Sequence, residues 1–248
     1  MRLKKVVKNK VKATILKIWP DLHVAKSTGH SNRLESLYSS LSYAQEGEDL
    51  LLQRIFEGRS NGFYIDVGAH HPFRFSNTFL LYQQGWRGIN IDAMPGSMKL
   101  FNEHRPEDIN LEIGVSATGK ELLYYMFNEP ALNSFSKEEA YSKVKKGVYE
   151  IESTKTIPTK RLEDIIKEHL HDERKIDLLS IDAEGYDLEV LHSLNLEKSQ
   201  PSIIVIEETG NKSIHQIQSE SSIYTYLTSN NYRFIAKTFN SLFFQLTQ

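Results

Sequence analysis

Short runs that are apolar on both faces alternate with amphipathic stretches along most of this chain. Residues 63–67, 88–91, 176–181 and 202–206 are such runs, and continuous apolar character predicts strands buried from both sides. Helical spacing fills the gaps. Leu50, Leu51, Ile55 and Phe56 share a face over residues 45–57, and Ser76 or Asn77 is placed to cap a helix that Gly85 stops. Pro95 opens a further helix toward Asn102, a third strand spans 109–115, and a turn at 117–120 leads into an extended run at 122–127. A strand at 154–158, a helix at 159–169 and a helix at 188–194 continue the alternation. After a helix at 223–229, runs 232–237 and 242–246 flank Thr-Phe-Asn-Ser and predict a β-hairpin. Residues 128–150 lose strand character and read equally as a lid over a site and as a plain surface helix.

The predicted fold class is α/β: a mainly parallel Rossmann-like sheet with helices on both faces and a C-terminal antiparallel hairpin. Ligands of such sheets bind beyond the carboxyl ends of the strands, near the point where strand order reverses. Residues 1–42 stand apart as a basic N-terminal helix and connector, and 43–248 form the catalytic domain. From Met1 to Pro20 there is no acid, while Lys4, Lys5, Lys8, Lys10 and Lys12 crowd together and Val7, Val11, Ile15 and Ile18 recur at helical spacing. That pattern fits peripheral contact with the inner face of a membrane, and equally a solvated terminal helix. No run is long enough for a transmembrane helix, and no signal-peptide core is present.

Composition narrows the chemistry. The 248 residues suit one large domain, and a net charge of −2 argues against a nucleic-acid partner. There is no cysteine, which removes disulfides, thiolate metal sites and cysteine nucleophiles and fits a cytoplasmic location.

The densest candidate chemistry lies where the first two strands end. In FYIDVGAHHP (63–72), Asp66 closes the strand and Gly68 lets the backbone turn close to a ligand. One βα unit later GINID (88–92) ends in Asp92, placed to accept the hydroxyls of an adenosine ribose. Nicotinamide enzymes bring three glycines to a pyrophosphate, but here Gly68 is followed by Ala69, His70, His71 and Pro72, so a phosphate-free ligand fits better. In IDLLSIDAEGYDLEVL (176–191), Asp182 ends a strand and Glu184 follows at the turn, where carboxylates suit a sulfonium cation or an acceptor proton. Capping of the next helix explains the same acids. Asp182 with Glu207 and Glu208 on the adjacent tip supplies the oxygen ligands Mg²⁺ would need.

The ordered blocks QEGEDLLL, FYIDVGAHHP, GINIDAMPGSM, LEIGVS, IPTKRLEDII, IDLLSIDAEGYDLEVL and IIVIEE resemble the FkbM family of S-adenosylmethionine-dependent methyltransferases, over about residues 43–208. The resemblance implies a class I methyltransferase fold and O-methylation of a small-molecule or glycan acceptor, such as a sugar or natural product. It implies that Asp66 and Gly68 line the methionine part of the cofactor, that Asp92 holds the ribose and that Ser116 lies near the adenine. It brings Gln45 and Asp49 to the cofactor's amino-acid end and turns Asp182 and Glu184 to the methyl group or the acceptor. The chain departs from the family at His70, His71 and Pro72, where Asn and a second glycine are common. That departure puts an imidazole near the reaction centre. His70 is the sharpest catalytic candidate, since an unperturbed histidine titrates near neutrality; bonding of its ring to the loop backbone is the alternative. A nicotinamide oxidoreductase and a non-catalytic binding module in a glycan assembly stay open beside this reading.

Overall fold

The computed structural model describes residues 39–170 and 175–247. The basic helix expected over residues 1–20 lies outside them, and of the expected connector only residues 39–42 are described.

Five parallel strands carry the main sheet: β1 (Phe63–Val67), β2 (Arg87–Asp92), β3 (Ile109–Glu112), β8 (Leu178–Ile181) and β9 (Ile203–Glu207). The hairpin strands β10 (Tyr232–Lys237) and β11 (Ser241–Leu246) close one edge, with β11 antiparallel to both neighbours. The seven strands are ordered β3-β2-β1-β8-β9-β11-β10. The expected parallel sheet and closing hairpin are both present.

Period-two alternation sends side chains to two separate cores. On one face Ile65, Ile89, Leu179, Ile204 and Phe244 pack with α5 (Leu162–His169), α6 (Asp187–His192), α7 (Ile214–Glu220) and α8 (Ser222–Ser229). On the other, Tyr64, Leu178, Ile203 and Phe243 pack with Leu52 and Phe56 at α1 (Glu48–Ile55), Leu81 of α2 (Phe79–Gln83) and Trp86. Helices therefore flank both faces, and every residue of β1 is buried. Between α2 and β3 runs α3 (Met98–His104).

Three departures from the sequence pattern have physical causes. The expected third strand splits after Glu112: β4 (Gly114–Val115) leaves the sheet and pairs with β7 (Thr159–Lys160). Gly114 permits that exit, because a Cβ there would lie 2.6 Å from the Phe135 ring. The helix expected from residue 159 consequently starts only at Leu162, since Thr159 and Lys160 are held extended. The strand near 154–158 is longer, β6 (Ile151–Ile157), and pairs antiparallel with β5 (Leu122–Phe127).

Residues 128–150 contain a helix, as one of the two sequence readings expects. A 3₁₀ turn at Pro130–Leu132 leads to α4 (Lys137–Lys145), which Ser136 caps through the Glu139 amide. Among the described residues no helix is long and apolar enough to cross a membrane.

Candidate active site

Strand order reverses at β1, whose neighbours are β2 on one side and β8 on the other. The crevice beyond their carboxyl ends is a cleft of about 500 Å³. Its floor follows from the register. Val67 pairs with Ile91 and with Ile181, so Gly68, Asp92 and Asp182 emerge side by side. The Gly68 and Ala69 amides both donate to the Ile91 carbonyl, which bends the chain over β2. Gly68 has φ +80°, and a Cβ on it would fall 1.7 Å from the Asp182 carbonyl oxygen. No other residue type fits there.

The cleft presents Asp92, Asp182 and Glu184 as acids, and among the described residues neither lysine nor arginine lines it. Ile113, Val115 and Val190 give it an apolar wall, and Tyr124 and Phe135 add aromatic surface. The 3₁₀ turn of the 128–150 segment, through Pro130 and Ala131, forms its cover. A pyrophosphate would find no cation here. An adenosine-bearing sulfonium finds an apolar slot, a carboxyl group at the tip of β2 and, among the described residues, no lysine or arginine on the lining, so the residues fit S-adenosylmethionine.

Hydrogen bonds fix each candidate. Asp92 accepts from the His70 amide at 2.9 Å and the Met94 amide at 2.8 Å, yet burial outweighs these bonds and raises its pKa. Asp66 lies beneath the cleft rather than on its lining, buried and bonded by the Thr78 hydroxyl at 2.7 Å; burial raises its pKa too. His70 lines the cleft with its ring 3.2 Å from the Arg74 guanidinium. Burial, then the Arg74 charge, lowers its pKa to about 4, so the imidazole is neutral at physiological pH and a weak base.

Glu184 is held by Lys143 of α4 at 2.5 Å, and its carbonyl accepts from Ser134 at 2.7 Å. Both contacts clamp the 128–150 segment to the turn after β8. Arg74 forms a bidentate pair with Glu129 at the other end of that segment.

Besides Asp66, three of the expected residues, Gln45, Asp49 and Ser116, do not line this cleft. The Asp49 carboxylate is fully buried and accepts from the Ser42 hydroxyl at 2.6 Å and the Tyr43 amide at 2.6 Å, which orders the chain leading to Gln45. The Ser116 hydroxyl turns away to Thr159 at 2.6 Å, leaving Gly114 and Val115 to line the slot. Gln45 lies instead in a second, smaller cleft that shares Asp182 with the first.

Beside Asp182 the register of Ile181 with Ile206 brings up Glu207. Ligand atoms of Asp182, Asp187 and Glu207 come within 4.8 Å of one another. Burial first, and then repulsion from nearby carboxylates, Glu184 among them, raise all three pKa values. Asp187 is committed to the Ala183 and Gly185 amides, at 2.8 and 3.0 Å, and caps its own turn. Glu208, the other expected metal ligand, points elsewhere, to Lys212 and Ser221. The cluster therefore leaves two open carboxyls for a cation.

Arg105 gave no signal in the sequence. It is fully buried, donates to Thr78 at 2.9 Å, Ser76 at 2.7 Å and the Pro72 carbonyl at 2.5 Å, and so ties down the loop between His70 and α2. A single arginine after a helix has no periodicity to betray burial.

A Rossmann-like sheet with a switch-point cleft lined by acids and, among the described residues, by no lysine or arginine fits a phosphate-free adenosyl cofactor. The methyltransferase FkbM domain model matches residues 66–234, well over half of the chain, and the chain belongs to that family of S-adenosylmethionine-dependent methyltransferases. No curated protein matches it.

Proposed function

We propose that this protein transfers a methyl group from S-adenosylmethionine to a hydroxyl oxygen of a sugar, a glycan precursor or a related metabolite. The sheet order, with the reversed strand β11 between β9 and β10, supports a class I methyltransferase arrangement within this reading. The observation that carries the reading is the acid-lined cleft at the strand reversal, which among the described residues no lysine or arginine lines and into which Gly68 opens the backbone.

When bound, the cofactor supplies a methyl group already activated on sulfur. The chain's part is to bind, align and exclude water, which is where most of the acceleration of such a transfer arises. Asp92 would hold the ribose hydroxyls, and the wall of Ile113 and Val115 the adenine. Asp66, through Thr78, and Asp49, through residues 42–44, set the loops that shape the site. Asp182 would face the transferring group, and Glu184 would keep the cover closed through Lys143. His70, neutral, would line the site without needing to take a proton. We assign the open Asp182–Glu207 pair to the acceptor rather than to Mg²⁺, which prefers about six oxygen ligands; full activity in EDTA is expected.

Calorimetric titration tests the reading. Saturable binding of S-adenosylmethionine, with none of NAD, is expected. NAD binding alone would replace this function with an oxidoreductase.

A further inference from the structure

The walls of the first cleft outline about 500 Å³, but the part that the centre of a water molecule can enter is only about 50 Å³. One water needs roughly 10–15 Å³ on that measure, so the cleft has room for a few waters and none for a nucleoside. What narrows it is the stretch between β5 and β6. Pro130, Ala131, Asn133 and Phe135 all reach the lining, as does Tyr124 of β5.

That stretch is built as a body of its own. β5 and β6 pair with each other and, among the described residues, with no strand of the main sheet. With α4 they enclose a separate small core of Tyr125, Phe127 and Ala140, against which Leu132, Tyr149 and Ile151 pack. Internal bonds stiffen it. The Asn133 Oδ1 accepts the Phe127 amide at 2.7 Å, and Tyr125 and Ser134 exchange backbone bonds of 2.8 and 3.1 Å. The chain enters and leaves side by side, since Leu122 pairs with Ile157. Just outside this stem the Ser116 and Thr159 hydroxyls bond at 2.6 Å, and Thr159 donates to the Lys120 carbonyl at 2.5 Å. A unit with a packed core of its own, hung on one two-strand stem, moves as a rigid body about that stem.

Two ion pairs hold it down. Arg74, on the loop after β1, grips Glu129 at 2.9 and 3.1 Å, and Lys143 of α4 bonds Glu184 on the turn after β8. Each pair stands on unusual backbone: His70, whose ring touches Arg74, has φ 52°, and Glu184 has φ 51°. Residues of these types stay at positive φ where their surroundings dictate it.

We propose that residues 122–157 are a lid over the cofactor cleft, latched by Arg74 and Lys143, which must swing out before S-adenosylmethionine can enter. The proposal rests on the first cleft being the cofactor's. Arg74 and Lys143 do not line that cleft. They are positioning residues that set the fraction of molecules with the lid open. A ligand that binds only the open form is held back by that fraction, so weakening a latch speeds its entry.

The test exploits a chain without cysteine, in which introduced thiols have no competitors. A Cβ on Gly185 would lie 3.0 Å from the Glu139 Cβ, across the joint between the turn after β8 and α4. That is a little nearer than the roughly 3.5–4.5 Å of a disulfide, so a small shift lets Glu139→Cys and Gly185→Cys bond. The double variant is oxidised with diamide or reduced with dithiothreitol, and each form is titrated with S-adenosylhomocysteine by calorimetry. Gly185 has φ +88°, so the reduced variant, not wild type, is the reference. The locked form is expected to bind roughly 30-fold more weakly or worse. A second measurement spares the fold. Glu129→Gln keeps an oxygen for the Ala131 amide and removes the charge facing Arg74. Stopped-flow fluorescence should show S-adenosylhomocysteine associating roughly three- to tenfold faster than with wild type, whereas loss of a merely structural contact would not speed entry. Equal binding by locked and reduced forms, or no faster association with Glu129→Gln, would overturn the proposal. Where the reduced double variant does not bind, the Glu129→Gln rates decide alone. Failure of wild type to bind S-adenosylhomocysteine would overturn the cofactor reading instead, and this one with it.

Discussion

The Asp92 carboxylate accepts the backbone N–H of His70 at 2.9 Å, so the residue at the tip of β2 also fixes the loop that follows β1. Its other oxygen takes the Met94 amide. Asp92→Asn presents an amide N–H to one of these donors and loses the loop along with the proposed ribose contact. Cofactor affinity is expected to fall roughly 10- to 100-fold, about 1.5–3 kcal/mol for bonds to a charged group. Calorimetry on the variant checks this; unchanged affinity would remove Asp92 from the site.

Gly68→Ala is expected to cost about 2 kcal/mol or more in chemical denaturation. Its φ of +80° is strained for alanine, and the added methyl meets backbone rather than a movable side chain. Gly96, also at positive φ but with open space around it, gives the matched control, and Gly96→Ala should cost clearly less.

Lys143 is 7% exposed and Glu184 16%, and each is the other's principal partner. Removing one leaves the other buried and uncompensated. Lys143→Met should destabilise the protein by roughly 3 kcal/mol, and the double variant Lys143→Met, Glu184→Gln should recover part of that loss. Additive single effects in denaturation would count against the clamp.

Glu207 yields a pH prediction with a definite sign. Burial first, then the Asp182 charge, raises its pKa in the folded protein, whereas an unfolded glutamate titrates near about 4.3. Above that pH the folded state holds the extra proton, so stability falls as pH rises until the native carboxyl itself ionises. A glutamine side chain in its place cannot ionise. Without cofactor, Glu207→Gln should match wild type at pH 4 and exceed it at pH 8, the gap growing by at most about 1.4 kcal/mol per unit. Thermal melts across this range decide it. A gap that shrinks with pH contradicts the buried-acid assignment.

Much of the frame was legible because a buried strand writes itself as an apolar run and a hairpin as two runs about a turn. Residues 63–67 appear as β1 with the same bounds. The lining of the candidate cleft was legible wherever an acid or glycine closes such a run, as at Gly68, Asp92 and Asp182. What escaped depends on side chains meeting across the fold. Ser116 and Asp49 sit close in sequence to the site, but their hydrogen bonds to Thr159 and Ser42 are invisible to a linear reading. The low pKa of His70 comes from burial and Arg74, neither of which its neighbours in the chain announce. Helix α7 was missed although Ser213 and Gln216 form a capping box, because Lys and His around it mask its one buried residue, Ile217.

Strand β11 lies between β9 and β10, although the ribosome makes it after both. Until residues 241–246 emerge, β9 keeps a bare edge of unpaired backbone, and Ile203 and Val205 lack their cover from Phe243. The nascent domain is thus sticky until this strand is made, and chaperone binding should matter most in that interval. A message cut short before residue 241 would leave an aggregating fragment, not a smaller enzyme.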